Sequence, residues 1–124
     1  MPNGTILIAD DEIHIRHVVG QRLRSAGYTV IEAGDGKEAL ELALEHIPDM
    51  VISDLQMPTM SGLELCTQLR DNASTSHIPA ILLTARGYLI EESHKHLTNV
   101  RAIVAKPFSV REILERVESL RVAA

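Results

Sequence analysis

Three apolar runs in this chain, Thr5–Ala9, Met50–Ser53 and Ala80–Leu83, are almost unbroken, and each stops at an oxygen-bearing side chain: Asp10, Asp54 and Thr84. A strand that is apolar along its length has to be covered on both faces, which is the condition of a central strand in a parallel sheet. Two further runs, Tyr28–Glu32 and Arg101–Ala105, bring the number to five. The run at Tyr28 alternates with polar Thr29 and suits a place nearer the edge. Helical patterns fill the gaps between runs, and strands alternating with helices predict βα units around a parallel sheet.

The first helical segment carries Ile15, Val18, Val19 and Leu23 at helical spacing and stops at Gly27, a favoured residue just past a helix end. Gly34-Asp35-Gly36 reads as the turn into the second, which sets Leu40, Ala43, Leu44 and Ile47 on one face and is closed by Pro48. The third opens with Ser61-Gly62-Leu63-Glu64 and the fifth with Ser109-Val110-Arg111-Glu112. Both match the capping box, in which Ser and Glu satisfy orphan backbone donors. Ile113, Leu114, Val117 and Leu120 then form an amphipathic stripe. The fourth segment, Tyr88–Thr98, is dominated by Glu91, Glu92, His94, Lys95 and His96, so a helix there buries little area.

With 124 residues, no repeats and no linker, the pattern predicts one domain over residues 1–124. The net charge of −5 argues against direct nucleic-acid binding, which needs a basic face, and 2% aromatics leave no platform for stacking bases. The N-terminal apolar run is too short for a signal segment or membrane span, so a cytoplasmic location and no membrane partner are expected. The lone Cys66 excludes an internal disulfide and reads as a core-facing helix residue. His14 and His17, three apart on the first helix, and His94 and His96 on the fourth, whose two-apart positions share no helix face, read as solvated surface residues.

In an open parallel sheet, ligands bind outside the carboxyl ends of the strands. Asp10-Asp11-Glu12 follows the first strand, Asp54 the third, Thr84 the fourth and Lys106 the fifth. Any one of these alone would serve as a turn or cap residue. Together, at successive strand ends, they converge on one pocket. Three clustered aspartates repel and push a proton onto one of them unless a cation intervenes. Hard oxygen ligands without thiolates fit Mg2+ rather than Zn2+, and a lysine and a hydroxyl beside it look like ligands for a phosphate.

The chain resembles the response-regulator receiver family over essentially its whole length, through Ile8-Ala9-Asp10-Asp11-Glu12, Asp54-Leu55-Gln56-Met57-Pro58 with Ser61-Gly62, Leu83-Thr84-Ala85 and Lys106-Pro107-Phe108. The resemblance implies a flavodoxin-like, three-layer fold: a five-stranded parallel sheet of order 2-1-3-4-5 flanked by five helices. It implies that Asp54 takes a phosphoryl group from the phosphohistidine of a sensor histidine kinase or histidine phosphotransfer protein. Asp11, Asp54 and the backbone carbonyl of Gln56 would bind Mg2+, with Asp10 acting through water. Lys106 would pair with a phosphoryl oxygen, Thr84 would donate its hydroxyl once that group is present, and small Ala85 would leave room for it. Lys106-Pro107 looks like the family's cis bond. Gln56 and Arg86 line the pocket at positions that tune phosphate lifetime. A downstream effector protein or output domain would read the switch, and a homodimer through the fourth helix, fifth strand and fifth helix is open to such a domain.

One departure concerns the readout. Ile103 stands where the family usually has Tyr or Phe, so no ring can swing inward, and reporting through the fourth helix or its preceding loop is expected instead. Asn99 stands where Gly is common and tolerates a left-handed backbone. Two other functions compete. An aspartyl-phosphate hydrolase of haloacid-dehalogenase-like plan wants a second acid two residues after the nucleophile, and that residue is Gln56. A phosphate-independent interaction module would lack an acceptor or acidic pair, and none is missing. The chain carries no output region of its own, so the signal is expected to leave through a surface, from a stand-alone protein or a piece of a longer regulator.

Overall fold

All five apolar runs are strands: β1 (Thr5–Ala9), β2 (Thr29–Ala33), β3 (Met50–Asp54), β4 (Ala80–Thr84) and β5 (Val100–Ala105). They form one sheet in the order β2-β1-β3-β4-β5 with every pair parallel. The computed structural model describes residues 3–84, 99–106 and 108–123. Four helices lie among them: α1 (Ile13–Ser25), α2 (Gly36–His46), α3 (Gly62–Asp71) and α4 (Val110–Ala123). The weakly patterned Tyr88–Thr98 segment, expected as a further helix, falls outside the described residues, as do Ala85, Arg86 and Pro107. No helix among the described residues is long and apolar enough to cross a membrane.

Burial follows strand order. β3 and β4 are buried at every position and β1 at all but its first, whereas β2 and β5 hold the edges. Side chains alternate between two cores, one on each face of the sheet. Leu7, Val51, Ala80 and Leu82 meet Ala39 and Ala43 of α2 and Leu65, Cys66 and Leu69 of α3. Ile6, Ile8, Ile52, Ile81, Leu83 and Val104 meet Val19 and Leu23 of α1 and Ile113 and Val117 of α4. The result is three layers. Asn99, just before β5, ties an edge to a helix by donating from its side-chain amide to the Cys66 carbonyl at 2.9 Å.

The helix ends follow their sequence signals. Gly27 has φ +98°; its N–H donates to the Arg24 carbonyl and that of Tyr28 to the Leu23 carbonyl, a Schellman stop that only glycine adopts without strain. Ser61 and Ser109 accept the N–H of Glu64 and Glu112, each at 3.1 Å. Asp35 caps α2 in the same way through Glu38 N–H at 2.9 Å.

The expected inner face of α2 needs correction. Gly36, Ala39 and Ala43 are buried, while Leu44 is 40% and Ile47 37% exposed. Gly36 sits against the Met60 backbone, closer than any Cβ would allow, and this contact fixes the roll of the helix. Ile47 has already left the helix at φ 45°, so it no longer follows the helical stripe.

Cys66 is fully buried on α3, and burial pushes its thiol up to about 12. Thiolate, not thiol, attacks alkylating reagents. Native protein at pH 8 is therefore expected to react with iodoacetamide only as fast as it unfolds, and urea should release the reaction. Alkylation at the rate of a free thiol in native buffer would contradict this packing.

Candidate functional site

The sheet register brings the strand ends to one edge: Ala9 is opposite Ser53, Asp54 opposite Leu83, and Thr84 opposite Ala105. The residues at and just beyond those ends converge. One carboxylate oxygen from each of Asp10, Asp11 and Asp54 lies within 4.8 Å of the others. The Lys106 ammonium is 3.4 Å from Asp54 Oδ1, 3.6 Å from Asp10 Oδ2 and 3.8 Å from Glu12 Oε1. Thr84 is buried at the end of β4, and its carbonyl accepts the Lys106 N–H at 2.7 Å, which fixes where the lysine leaves the sheet.

The electrostatics are those of a crowded acidic site. Asp10 is fully buried; burial raises its carboxyl above the usual range, the Glu12 amide opposes this, and the Asp54 charge adds to it. Burial likewise raises Asp54, against the pull of Lys106, and Asp11 adds to the rise. Burial lowers the Lys106 ammonium, but Asp10, Asp54 and Glu12 together outweigh it and hold the group above its ordinary value. Asp10 Oδ2 is buried with no hydrogen-bond partner among the described residues. A buried carboxylate oxygen left in this condition is costly. An all-oxygen donor set with one orphaned oxygen fits a hard divalent cation.

Asp11 belongs to this cluster from its exposed rim, whereas other predicted residues stand apart from it: Gln56 is exposed in the loop after Asp54. Ile103 is 46% exposed on the edge strand β5. Ala85, Arg86 and Pro107, and with them the expected readout through the fourth predicted helix, lie outside the described residues. His14 and His17 are exposed, as expected.

Other contacts were not anticipated. Thr59 has φ 67°, a costly backbone state for a β-branched residue. Its hydroxyl accepts from Lys37 N–H at 3.0 Å and pairs with Asp35 Oδ1 at 3.1 Å, so the loop after Asp54 is laced to the start of α2. Propensity argues against threonine there, which is why that link was invisible; the Asp35 cap was readable from Glu38 three residues on. Gly62 packs its α-carbon against the Asp54 carbonyl, setting α3 directly behind the site. Glu12 joins Lys106, and Arg16 donates to the Asp10 carbonyl at 2.6 Å.

Fold and site together define a class: an open parallel α/β sheet with an acidic, lysine-bearing pocket at the carboxyl ends of its strands. The chain belongs to the response regulator receiver domain family, whose pattern matches residues 6–118 and whose domains are phosphorylated on an aspartate by histidine kinases. It is 34% identical over 119 residues to the polar-differentiation response regulator DivK of Brucella anthropi, covering 96% of each. It is 38% identical over 117 residues to histidine kinase P4 of Formosa agariphila, where 94% of the chain spans only 8% of the relative. Among solved structures, the chemotaxis response regulator CheY4 of Vibrio cholerae superposes with a TM-score of 0.84 at 31% identity, over 93% of this chain and 96% of that one.

Proposed function

We propose that this receiver domain takes a phosphoryl group onto Asp54, in a reaction that depends on Mg2+ held by Asp11, Asp54 and the Gln56 carbonyl, with Asp10 acting through water. The observation that carries the reading is the Lys106 ammonium at 3.4 Å from Asp54 Oδ1, beside three carboxylates within 4.8 Å of one another. When bound, Mg2+ neutralises the acidic trio and draws charge from the phosphoryl oxygens. Asp54 attacks the phosphorus of a kinase or phosphotransfer-protein phosphohistidine; an O–P bond forms, the N–P bond breaks, and the imidazole leaves with the electron pair. Lys106 stabilises a phosphoryl oxygen as a point charge. Thr84 donates its hydroxyl to the new group, next to the space left by Ala85, and Pro107 sets the direction of Lys106. Gln56 and Arg86 tune how long the phosphate lasts.

On this reading the domain is a signalling phosphoacceptor that assists its own phosphorylation and dephosphorylation, not an enzyme with a separate substrate. It acts as one unit over residues 1–124 in the cytoplasm, and an effector protein or output domain reads its state, with Ile103 shifting the readout away from an aromatic switch. Phosphorylation adds nearly two negative charges and three strong acceptors, which suffices to reorganise a loop.

The test is intact mass after incubation with Mg2+ and acetyl phosphate, beside Asp54→Asn. A Mg2+-dependent phosphoryl adduct absent from the variant is expected. If neither acetyl phosphate, a histidine kinase nor a beryllofluoride mimic modifies or binds the site, a phosphate-independent interaction module replaces this reading.

A further inference from the structure

Asp10 is held by three of its four polar handles. Its N–H donates to the Ala33 carbonyl of β2 at 3.1 Å, its Oδ1 accepts Glu12 N–H at 2.9 Å, and its carbonyl accepts from Arg16 at 2.6 Å. The fourth, Oδ2, is thereby left facing Lys106 without a hydrogen bond among the described residues. Of these anchors only Arg16 is a side chain from outside the turn. Its side chain is 16% exposed, and its Nε lies 3.4 Å from Glu32 Oε1 on β2. The other Glu32 oxygen takes Arg24, 47% exposed, at 3.2 Å. One guanidinium thus spans the acidic turn and the neighbouring strand, by a hydrogen bond to the Asp10 carbonyl and an ion pair with Glu32, its Nε making no hydrogen bond among the described residues. A planar, delocalised cation reaches both in a way that a compact ammonium does not.

Resting on the reading above, we propose that Arg16 is a positioning residue for the Mg2+ site: it clamps the Asp10 backbone to β2, so that the Asp10 and Asp11 carboxylates meet the cation in a fixed geometry. Groups that orient metal ligands from behind commonly change affinity 10–100-fold when removed. Arg16 also sets a cation close to the acidic trio, offset by Glu32, so the clamp does not leave a lone buried charge.

The test follows Mg2+ through the melting temperature of the whole chain and through the Mg2+ dependence of its labelling by acetyl phosphate. Arg16→Met is expected to raise the Mg2+ concentration for half-effect about tenfold. Arg16→Met/Glu32→Gln, which strands no carboxylate, should regain the metal-free melting temperature but not the Mg2+ affinity. Arg16→Lys should fall between, because it keeps the charge and loses the fork. Arg24→Met, which removes the other cation on the same Glu32 without touching the turn, should bind Mg2+ as the unaltered protein does. Unchanged Mg2+ affinity in both Arg16→Met variants, or an equal loss in Arg24→Met, overturns the assignment. No Mg2+ response in the unaltered protein overturns the reading of the site itself, and the assignment with it.

Discussion

Gly62→Ala is expected to lower stability by about 2–3 kcal/mol, a fall of about 10 °C in melting temperature, and to slow phosphorylation of Asp54. A Cβ at this position would lie well inside contact distance of the Asp54 carbonyl oxygen and against the Leu55 Cα. Both neighbours are backbone, so no side chain can swing aside. Either α3 withdraws from the sheet or Asp54 moves. Alanine favours a helix over glycine by about 1 kcal/mol, which offsets part of the cost but does not remove the clash. Gly34→Ala is the matched control: its Cβ would meet Arg16 at 3.5 Å and Glu38 at 3.7 Å, ordinary contact with flexible side chains. That variant should melt close to the unaltered protein. If Gly62→Ala also does, the close approach behind Asp54 does not constrain the site.

The sheet was legible because its information is local. Unbroken apolar runs identified β1, β3 and β4 as central, the alternation at Tyr28 placed β2 at an edge, and observed boundaries differ from the expected ones by a residue. The roll of α2 was not legible. Leu40, Ala43, Leu44 and Ile47 have good helical spacing, but a contact between Gly36 and Met60, distant in sequence, decided which face turned inward. The strand order itself came from family resemblance, since periodicity carries no information on which strands are neighbours.

The pocket divides along the same line. Asp10, Asp54, Thr84 and Lys106 were readable because each directly ends or follows an apolar run, and the parallel register brings such positions to one edge. The residues that hold them were not. Arg16 looks like one polar residue on a mixed helix, and Thr59 occupies a backbone state that its type disfavours. Supporting residues act through backbone atoms of other segments, and side-chain identity alone does not announce such contacts. In this chain the chemistry is written at strand ends and its alignment is written in tertiary contacts.

Lys106→Met is expected to destabilise the metal-free protein by about 2 kcal/mol and to reduce labelling by acetyl phosphate at least a hundredfold. The lysine lies within 4 Å of Asp10, Glu12 and Asp54 at once, and its side chain is only 23% exposed. Removing it leaves two buried carboxyls, already above their usual range, with less to stabilise their charge. The pH dependence follows in sign. A carboxyl whose folded pKa is raised binds protons more tightly folded than unfolded, so its contribution to stability grows as pH falls through the folded value towards the ordinary one. The deficit of Lys106→Met should therefore shrink between neutral pH and the ordinary carboxylate range. Adding Asp54→Asn should have the same effect at neutral pH by removing one of the stranded charges. The double variant is then expected to be more stable than the sum of the single changes, by about 1–2 kcal/mol in a mutant cycle. Additivity within about 0.5 kcal/mol would mean that Lys106 and Asp54 do not feel each other in solution, and the pairing at 3.4 Å would lose its energetic meaning. Strong coupling would show that Lys106 stabilises the charge of the acceptor before any phosphoryl group arrives.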